Sequence, residues 1–302
     1  MKAVTVIATL AIAMGCTVSA QHQTPQRQGG GGADQRQRAA EMKAQMDEQR
    51  RAYYADADTA DYGVRYRFRY LYNKAQNLRY EEDRVVLVAP DKTLEMSYEG
   101  IGEVRWRQEH PDRKGNDPSL AYHLTPSYFF YYPGEQRLAA TYRILADEFE
   151  VSDGKVENDW KLTEETKKIG DYQCRKATLD KGGRQWTAWY TRDLQGVAAP
   201  EDFVGLDGVI LELSDSDNEV CWAFNGIVNN TDQSPLFILF PKKLHRRPAD
   251  EFRKIKRLFA LSADNYLQSS GVYDKDKAYY PEKYRPSTGI DALNSDNPIR
   301  RD

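Results

Sequence analysis

The chain has 302 residues, of which 40% are hydrophobic and 29% charged, with a formal net charge of -3. Those proportions are those of a folded globular protein and exclude a collagen-like or wholly disordered chain. The charge balance excludes an overall pull toward nucleic acid, and the nearest basic cluster, Lys242-Lys243 with Arg246-Arg247, reads as a solvated loop face.

The N-terminus reads as a secretory leader spanning residues 1–20. Lys2 supplies the positive start, Ala3 to Met14 an apolar run far short of the ~20 residues a bilayer helix needs, and Val18-Ser19-Ala20 the small residues before a cut after Ala20. An alternative exists in Ala13-Met14-Gly15-Cys16, a loose lipobox in which Cys16 carries an acyl anchor. No later stretch approaches a transmembrane length, so the expected address is periplasmic or secreted, with the anchored form as the alternative.

Residues 21–60 read as a Gln/Gly-rich linker and a polar tether. Gly29 to Gly32 is a flexible spacer. Asp34 to Tyr53 is rich in helix formers but carries only a thin apolar stripe of Ala39, Met42, Met46 and Tyr53, which suits a solvated helix.

A single domain is expected over residues 61–271. It opens on a clean alternation: Val64, Tyr66, Phe68, Tyr70 and Tyr72 on one face, Arg65, Arg67 and Arg69 on the other. Period two means a half-buried strand. The arginine row is expected to meet acidic residues on the next strand, with Glu81, Glu82 and Glu95 as candidates. Further strands are expected at Arg84–Val88, Thr93–Tyr98, Val104–Gln108, Ser127–Tyr132 and Thr141–Ala146. His110 to Pro118 is a loop. The aromatic run Tyr128 to Tyr132 is apolar on both faces and reads as a central strand, or one lining a pocket.

From Trp160 onward the pattern is a meander. Gly170-Asp171 is a turn, Tyr172–Leu179 a strand, Asp180 to Gly183 a hairpin turn with glycines for positive φ, and Arg184–Thr191 the return strand. A loop runs from Arg192 to Asp207, then come a strand at Val209–Leu213, a turn at Ser214–Asn218 and a strand at Glu219–Val228. Short turns make such neighbours antiparallel. A helix follows Pro248, with Asp250 and Glu251 in its first turn and Phe252, Ile255, Leu258 and Phe259 on its apolar face. A second short helix is expected from Ser262 to Leu267, ended by Gly271, and residues 272–302 read as an irregular tail. The fold class is therefore mostly β: a curved antiparallel sheet or half-barrel of about ten strands with a C-terminal helix packed on it.

Chemistry-bearing patterns are sparse. The histidines His22, His110, His123 and His245 lack ligand spacing and no Cys-x-x-Cys occurs, so no metal and no cofactor is expected. Gly205 to Gly208 leads into a strand rather than a helix, unlike a phosphate loop. Glu164 and Glu165 are adjacent in a strand and point to opposite faces. Cys174 and Cys221 remain after leader removal. An oxidising compartment permits a bond between them, but several strands of the meander would separate them, so buried free thiols are favoured. A hydrolase assembled from His123, Glu164 and Cys174 stays open as an alternative. With 20 Tyr, 10 Phe and 5 Trp, the aromatics either fill a core or line a groove; the groove reading places Trp186, Trp189, Tyr190 and Trp222 on one concavity.

Gly205-Leu-Asp-Gly-Val-Ile210 and its neighbours resemble the GLPGLI family of secreted proteins, found mainly in Bacteroidetes. The neighbours are the Trp160 strand, Ile169-Gly-Asp-Tyr-Gln-Cys-Arg-Lys-Ala177, Gly183-Arg-Gln-Trp-Thr-Ala-Trp-Tyr-Thr191 and Pro200-Glu-Asp-Phe203, with weaker echoes at Glu82 to Leu87 and Asn297 to Ile299. Asp207 stands where the family has proline, and Val209 where it has leucine. The resemblance implies a leader, an envelope address and an antiparallel β fold similar to the half-barrel of periplasmic lipoprotein carriers. It implies no activity, catalytic residue or cofactor. The expected function is non-catalytic binding of a peptide, lipid or other apolar ligand, or of an outer-membrane partner, through the sheet. A purely structural or interaction module is a further alternative.

Overall fold

The computed structural model describes residues 31–110, 127–144, 147–152, 154–241 and 244–261. The leader, Cys16, most of the His110–Pro118 loop, His123, the Ser262–Leu267 helix and the tail lie outside the described residues. Two compact units divide the chain at residues 46 and 47. Helix α1 (Gly31–Ala55) crosses that division. In the first unit its Met42 and Met46 are exposed and Gln37 bonds to Glu41 one turn on, as a solvated helix requires.

The second unit holds the strands β1 (Asp58–Thr59), β2 (Tyr62–Asn73), β3 (Leu78–Val88), β4 (Thr93–Ser97), β5 (Ser127–Tyr132), β6 (Arg137–Ile144), β7 (Asp147–Val151), β8 (Lys161–Ile169), β9 (Tyr172–Lys181), β10 (Arg184–Thr191), β11 (Val209–Asp215), β12 (Val220–Asn229), β13 (Phe237–Ile238) and β14 (His245–Arg247). Helix α2 (Gly100–Glu109) lies between β4 and β5, and α3 (Ala249–Leu261) follows β14. Among the described residues twelve strands form one open sheet, ordered β14-β7-β6-β5-β4-β3-β2-β12-β11-β10-β9-β8, while β1 and β13 pair separately. Every pairing is antiparallel except β14 with β7.

The alternation in β2 is what the sequence requires: Val64, Tyr66, Phe68 and Tyr70 are buried on the inner face. The opposite row meets a different acid from the three expected. Asp83 binds both Arg65 and Arg67, because register sets Arg67 opposite Asp83, while Arg65 reaches it diagonally and stacks over Tyr98. Glu82 and Glu95 lie on the inner face instead, paired with Arg84. The β9–β10 hairpin closes through Gly182 and Gly183 at φ 60° and 67°, between the facing pair Lys181 and Arg184.

The expected strand at Val104–Gln108 is helix α2. Its alternation is too short to tell period two from a helix, and tertiary contacts decide: Ile101 packs on the outer-face cluster and Arg105 donates to Ser234 Oγ at 2.7 Å. The short strands β1, β7, β13 and β14 carry no strong sequence pattern, and Arg246-Arg247, read as loop, belongs to β14. Pro248 precedes α3, its carbonyl accepting the amide of Phe252 at 3.0 Å. Phe252 stacks on Tyr142 and meets Phe149 at a tilt, which packs α3 on the inner face near β6 and β7.

Residues 192–208 form a strap over the inner face. Thr191 and Val209 face each other in register, so a tight turn would have joined them. Instead the chain sends Ala198, Ala199, Phe203, Val204 and Leu206 into the core. The Glu201 amide bonds Glu95 in β4, and Asp202 pairs with Lys181 at the end of β9 at 3.0 Å. On a flat sheet β4 and β9, six spacings apart, would lie ~29 Å from one another. Two neighbouring strap residues reach both, so the sheet curls around the strap.

Gly208 marks the strap's exit. Its φ is 151°, and a Cβ there would meet the Thr191 carbonyl oxygen at 2.4 Å. Gly208→Ala is expected to lower the unfolding free energy by roughly 2–4 kcal/mol. Urea denaturation measures this, with Gly134→Ala, where nothing lies within 4 Å, as the control of unchanged midpoint.

Candidate functional site

The four aromatics expected in one groove do not share it. Trp186, Tyr190 and Trp222 are buried in the inner core. Trp186 lies 4.5 Å from Phe203, and Trp222 lies 4.6 Å from Phe68, ring centre to centre. The strap supplies Phe203 and so turns a concave aromatic face into packed interior. Trp189, on the opposite face of β10, is half-buried beneath the Lys167 ammonium at 4.5 Å, which also binds Glu212. The hexapeptide Gly205, Leu206, Asp207, Gly208, Val209 and Ile210 is the strap's last turn and the start of β11. Leu206 is buried there, and Asp207 faces solvent against Arg192 at 2.9 Å. The Gly208 amide reaches back to the Leu206 carbonyl at 3.0 Å, a tight turn that aspartate tolerates in the place of proline.

Buried charge is arranged in two clamps. Arg84 donates Nε to Glu95 at 2.8 Å and Nη1 to Glu82 at 3.3 Å. Burial alone would lower the pKa of that guanidinium, but Glu95 and then Glu82 outweigh it and raise it. Tyr66 nearby, its hydroxyl bonded to the Ile210 carbonyl, has its pKa raised well above the usual phenol value by burial and then by Glu95. The second clamp sets Arg184 against Asp215 and Glu219, with Lys74 also on Glu219. Asp215, Asp217 and Glu219 have ligand atoms within 4.8 Å of one another. Arg184 and Lys74 already pair with two of these three carboxylates, and Asp215 Oδ1 accepts the Glu219 and Val220 amides at 2.7 and 3.0 Å. The trio thus serves as a clamp on the β11–β12 turn, a stretch whose sequence reads only as a polar turn.

The open concavity lies at the other end of the sheet. A cleft of about 380 Å³ is lined by Tyr53 and Asp56 near the end of α1, Asp58 of β1, Glu150 of β7, Ile238 of β13, the following Leu239, Phe240 and Pro241, then Leu244 and Arg246 of β14. Its lining mixes the apolar Ile238, Leu239, Phe240, Pro241 and Leu244 with charged side chains. Its rim is charged and partly paired: Lys92 holds Asp58 at 2.5 Å and Arg246 Nε holds Glu150 at 3.0 Å. The Tyr53 hydroxyl donates to the Phe240 carbonyl at 3.1 Å and ties α1 to the cleft wall. Sequence reasoning missed this site because its residues come from segments remote in the chain. No local pattern joins Asp58, Glu150 and Phe240.

Two of the three residues proposed for a hydrolase fall within the described residues. Glu164 is exposed on the edge strand β8, Cys174 is buried, and His123 lies outside the described residues. Burial, then Glu212, pushes the Cys174 thiol up to about 11. Cys221 is also raised by burial, with Arg69 opposing. Both cysteines are free thiols, and β10 and β11 stand between their strands.

No family model matches the chain, and no curated protein matches it. Among solved structures it is similar to PNGF-II in two crystal forms, at 17% and 15% identity, each match covering 64% of this chain and 32% of that one with a TM-score of 0.43. The chain thus spans about a third of the length of PNGF-II. It is also similar to a LolA-superfamily protein from Nitrosomonas europaea, at 9% identity over 62% of this chain and 93% of that one, with a TM-score of 0.23.

The thiols give a direct check. At pH 8 both hold their protons in the fold, so Ellman's reagent is expected to react slowly with native protein and rapidly with both thiols in guanidinium. A reducing agent should leave the melting temperature unchanged. A fast-reacting native thiol at Cys174 would contradict its burial.

Proposed function

We propose that the chain is a non-catalytic cell-envelope protein that binds a peptide, lipid or other apolar ligand, or an envelope partner, at the cleft beside β14. The observation that carries this reading is the cleft itself. Its volume of about 380 Å³ falls in the range of small-ligand sites, and its lining sets apolar side chains such as Phe240 and Leu244 beside charged ones, the mixture by which such sites combine affinity with orientation. The envelope address rests on the leader read at residues 1–20 and on the resemblance to the GLPGLI family. Among the described residues no helix is long and apolar enough to cross a membrane.

An apolar fluorescent probe, N-phenylnaphthylamine, tests the cleft. The wild-type protein is expected to bind it saturably. Leu244→Asp places a carboxylate in the lining and should weaken binding roughly tenfold or more, whereas Leu162→Asp on the exposed edge β8 should not. Probe binding that is absent, or indifferent to Leu244, favours the reading of a structural module whose aromatics are all core.

The address has its own test. When the full chain is expressed with its leader in a bacterial host, the intact mass should correspond to a start at Gln21. A start at an acylated Cys16 would establish the anchored alternative.

A further inference from the structure

The cleft beside β14 holds more acid than base. Asp56, Asp58 and Glu150 line it against Arg246, the one cation of its lining among the described residues. The neighbours of Arg246 add nothing to it. Successive residues of a strand point to opposite faces, and His245 meets Phe149 on the inner face of the sheet, 5.6 Å ring centre to centre. Lys92 on the rim is shared between Asp58 at 2.5 Å and Asp91 at 3.4 Å. Counted in full, Lys92 still leaves three lining carboxylates against two cations. The field there already favours positive charge. The Lys92 ammonium has its pKa raised, first by its hydrogen bond to Asp58 and then, against the cost of burial, by the charges of Asp58 and Asp91.

We infer that the cleft takes an organic ammonium ion with a short apolar body, its head group against Asp56 and Asp58 and its chain against Phe240 and Leu244. This rests on the cleft reading above and names its ligand class. The volume of about 380 Å³ suits a small molecule. Glu150 is buried and bonded to Arg246 Nε, so the exposed Asp56 and Asp58 are the acids that an incoming head group meets. The aromatic side chains of Tyr53 and Phe240 stand in the same lining. Carboxylates beside aromatic rings receive an ammonium twice over, by Coulomb attraction to the acids and by the negative faces of the rings. An anionic head group would meet three carboxylates instead, and a neutral one would leave their excess charge unmatched.

Octylammonium, octanol and octanoate share one chain and differ in head-group charge, and calorimetric titration of each into the full chain at neutral pH and low salt is the test. The ammonium is expected to bind roughly tenfold or more tightly than octanol, with octanoate weaker still. Asp56→Asn combined with Asp58→Asn, both at exposed positions, should remove most of that advantage, and about 0.5 M sodium chloride should shrink it. Arg246→Gln takes away the opposing charge and should widen it, whereas Glu164→Gln on the remote edge β8 should leave it unchanged. Octanoate binding as tightly as octylammonium, or an order that neither the double variant nor Arg246→Gln moves, overturns the proposal. If the three ligands bind alike, or not at all, while phenylnaphthylamine still saturates the Leu244-dependent site, the ammonium assignment falls and the cleft reading stands. If phenylnaphthylamine and all three ligands fail to bind, both fall.

Discussion

The strap's occupation of the inner sheet face is the constraint on which the rest of the structure depends. An open sheet this wide must curl or be covered, and here it curls around residues 192–208. Irregular backbone buried in this way brings amides and carbonyls that need partners. The partners come from side chains of the segment leading into β8 and of β4. Asn158 Nδ2 donates to the carbonyls of Asp202 at 2.7 Å and Val204 at 2.9 Å, and Trp160 Nε1 donates to Val204 at 2.9 Å. Glu95 receives the Glu201 amide. The stretch that resembles the GLPGLI signature is therefore both the strap and the strands that hold it.

The buried charges follow from the same arrangement. Glu95 serves two donors, Arg84 across the β3–β4 pair and the strap amide, so it links the strap to the sheet. Removing Arg84 would leave two carboxylates buried without a cation, a loss of the order of 3–5 kcal/mol. Arg184 does comparable work at the β11–β12 turn, where it joins Asp215 and Glu219. These are structural ions whose charges are paired inside the fold. The aromatic rings of Trp186 and Trp222 are likewise spent on packing. The cleft lies at the far end of the sheet, where the strap does not reach and the last strand is short.

Local signals carried much of the fold. The Val64-to-Tyr72 alternation, the Gly182-Gly183 turn and the apolar spacing of Phe252 and Ile255 each specify an element through contacts within a few residues, and each forms. Five residues of alternation at Val104–Gln108 did not suffice, because the partner that decides between strand and helix, the outer-face cluster around Leu94 and Phe130, is assembled from elsewhere. The partner of Arg65 and Arg67 was obscured for a related reason. Composition names several acids on the next strand, and only the register with β3 selects Asp83.

The sequence by itself determined a mostly β chain with a helix after the last strand, two cysteines on separate strands whose bonding it left open, and an aromatic supply large enough for either a core or a groove. The tertiary structure alone decided between those two uses, because the same loop that reads as a connection between β10 and β11 folds back and fills the concavity with Phe203 and Leu206. It also created the cleft, which joins Tyr53, Glu150 and Phe240 across most of the folded chain. Periodicity reports which face of an element is apolar. It carries no information about which distant segment will cover that face, and that choice separates core from site.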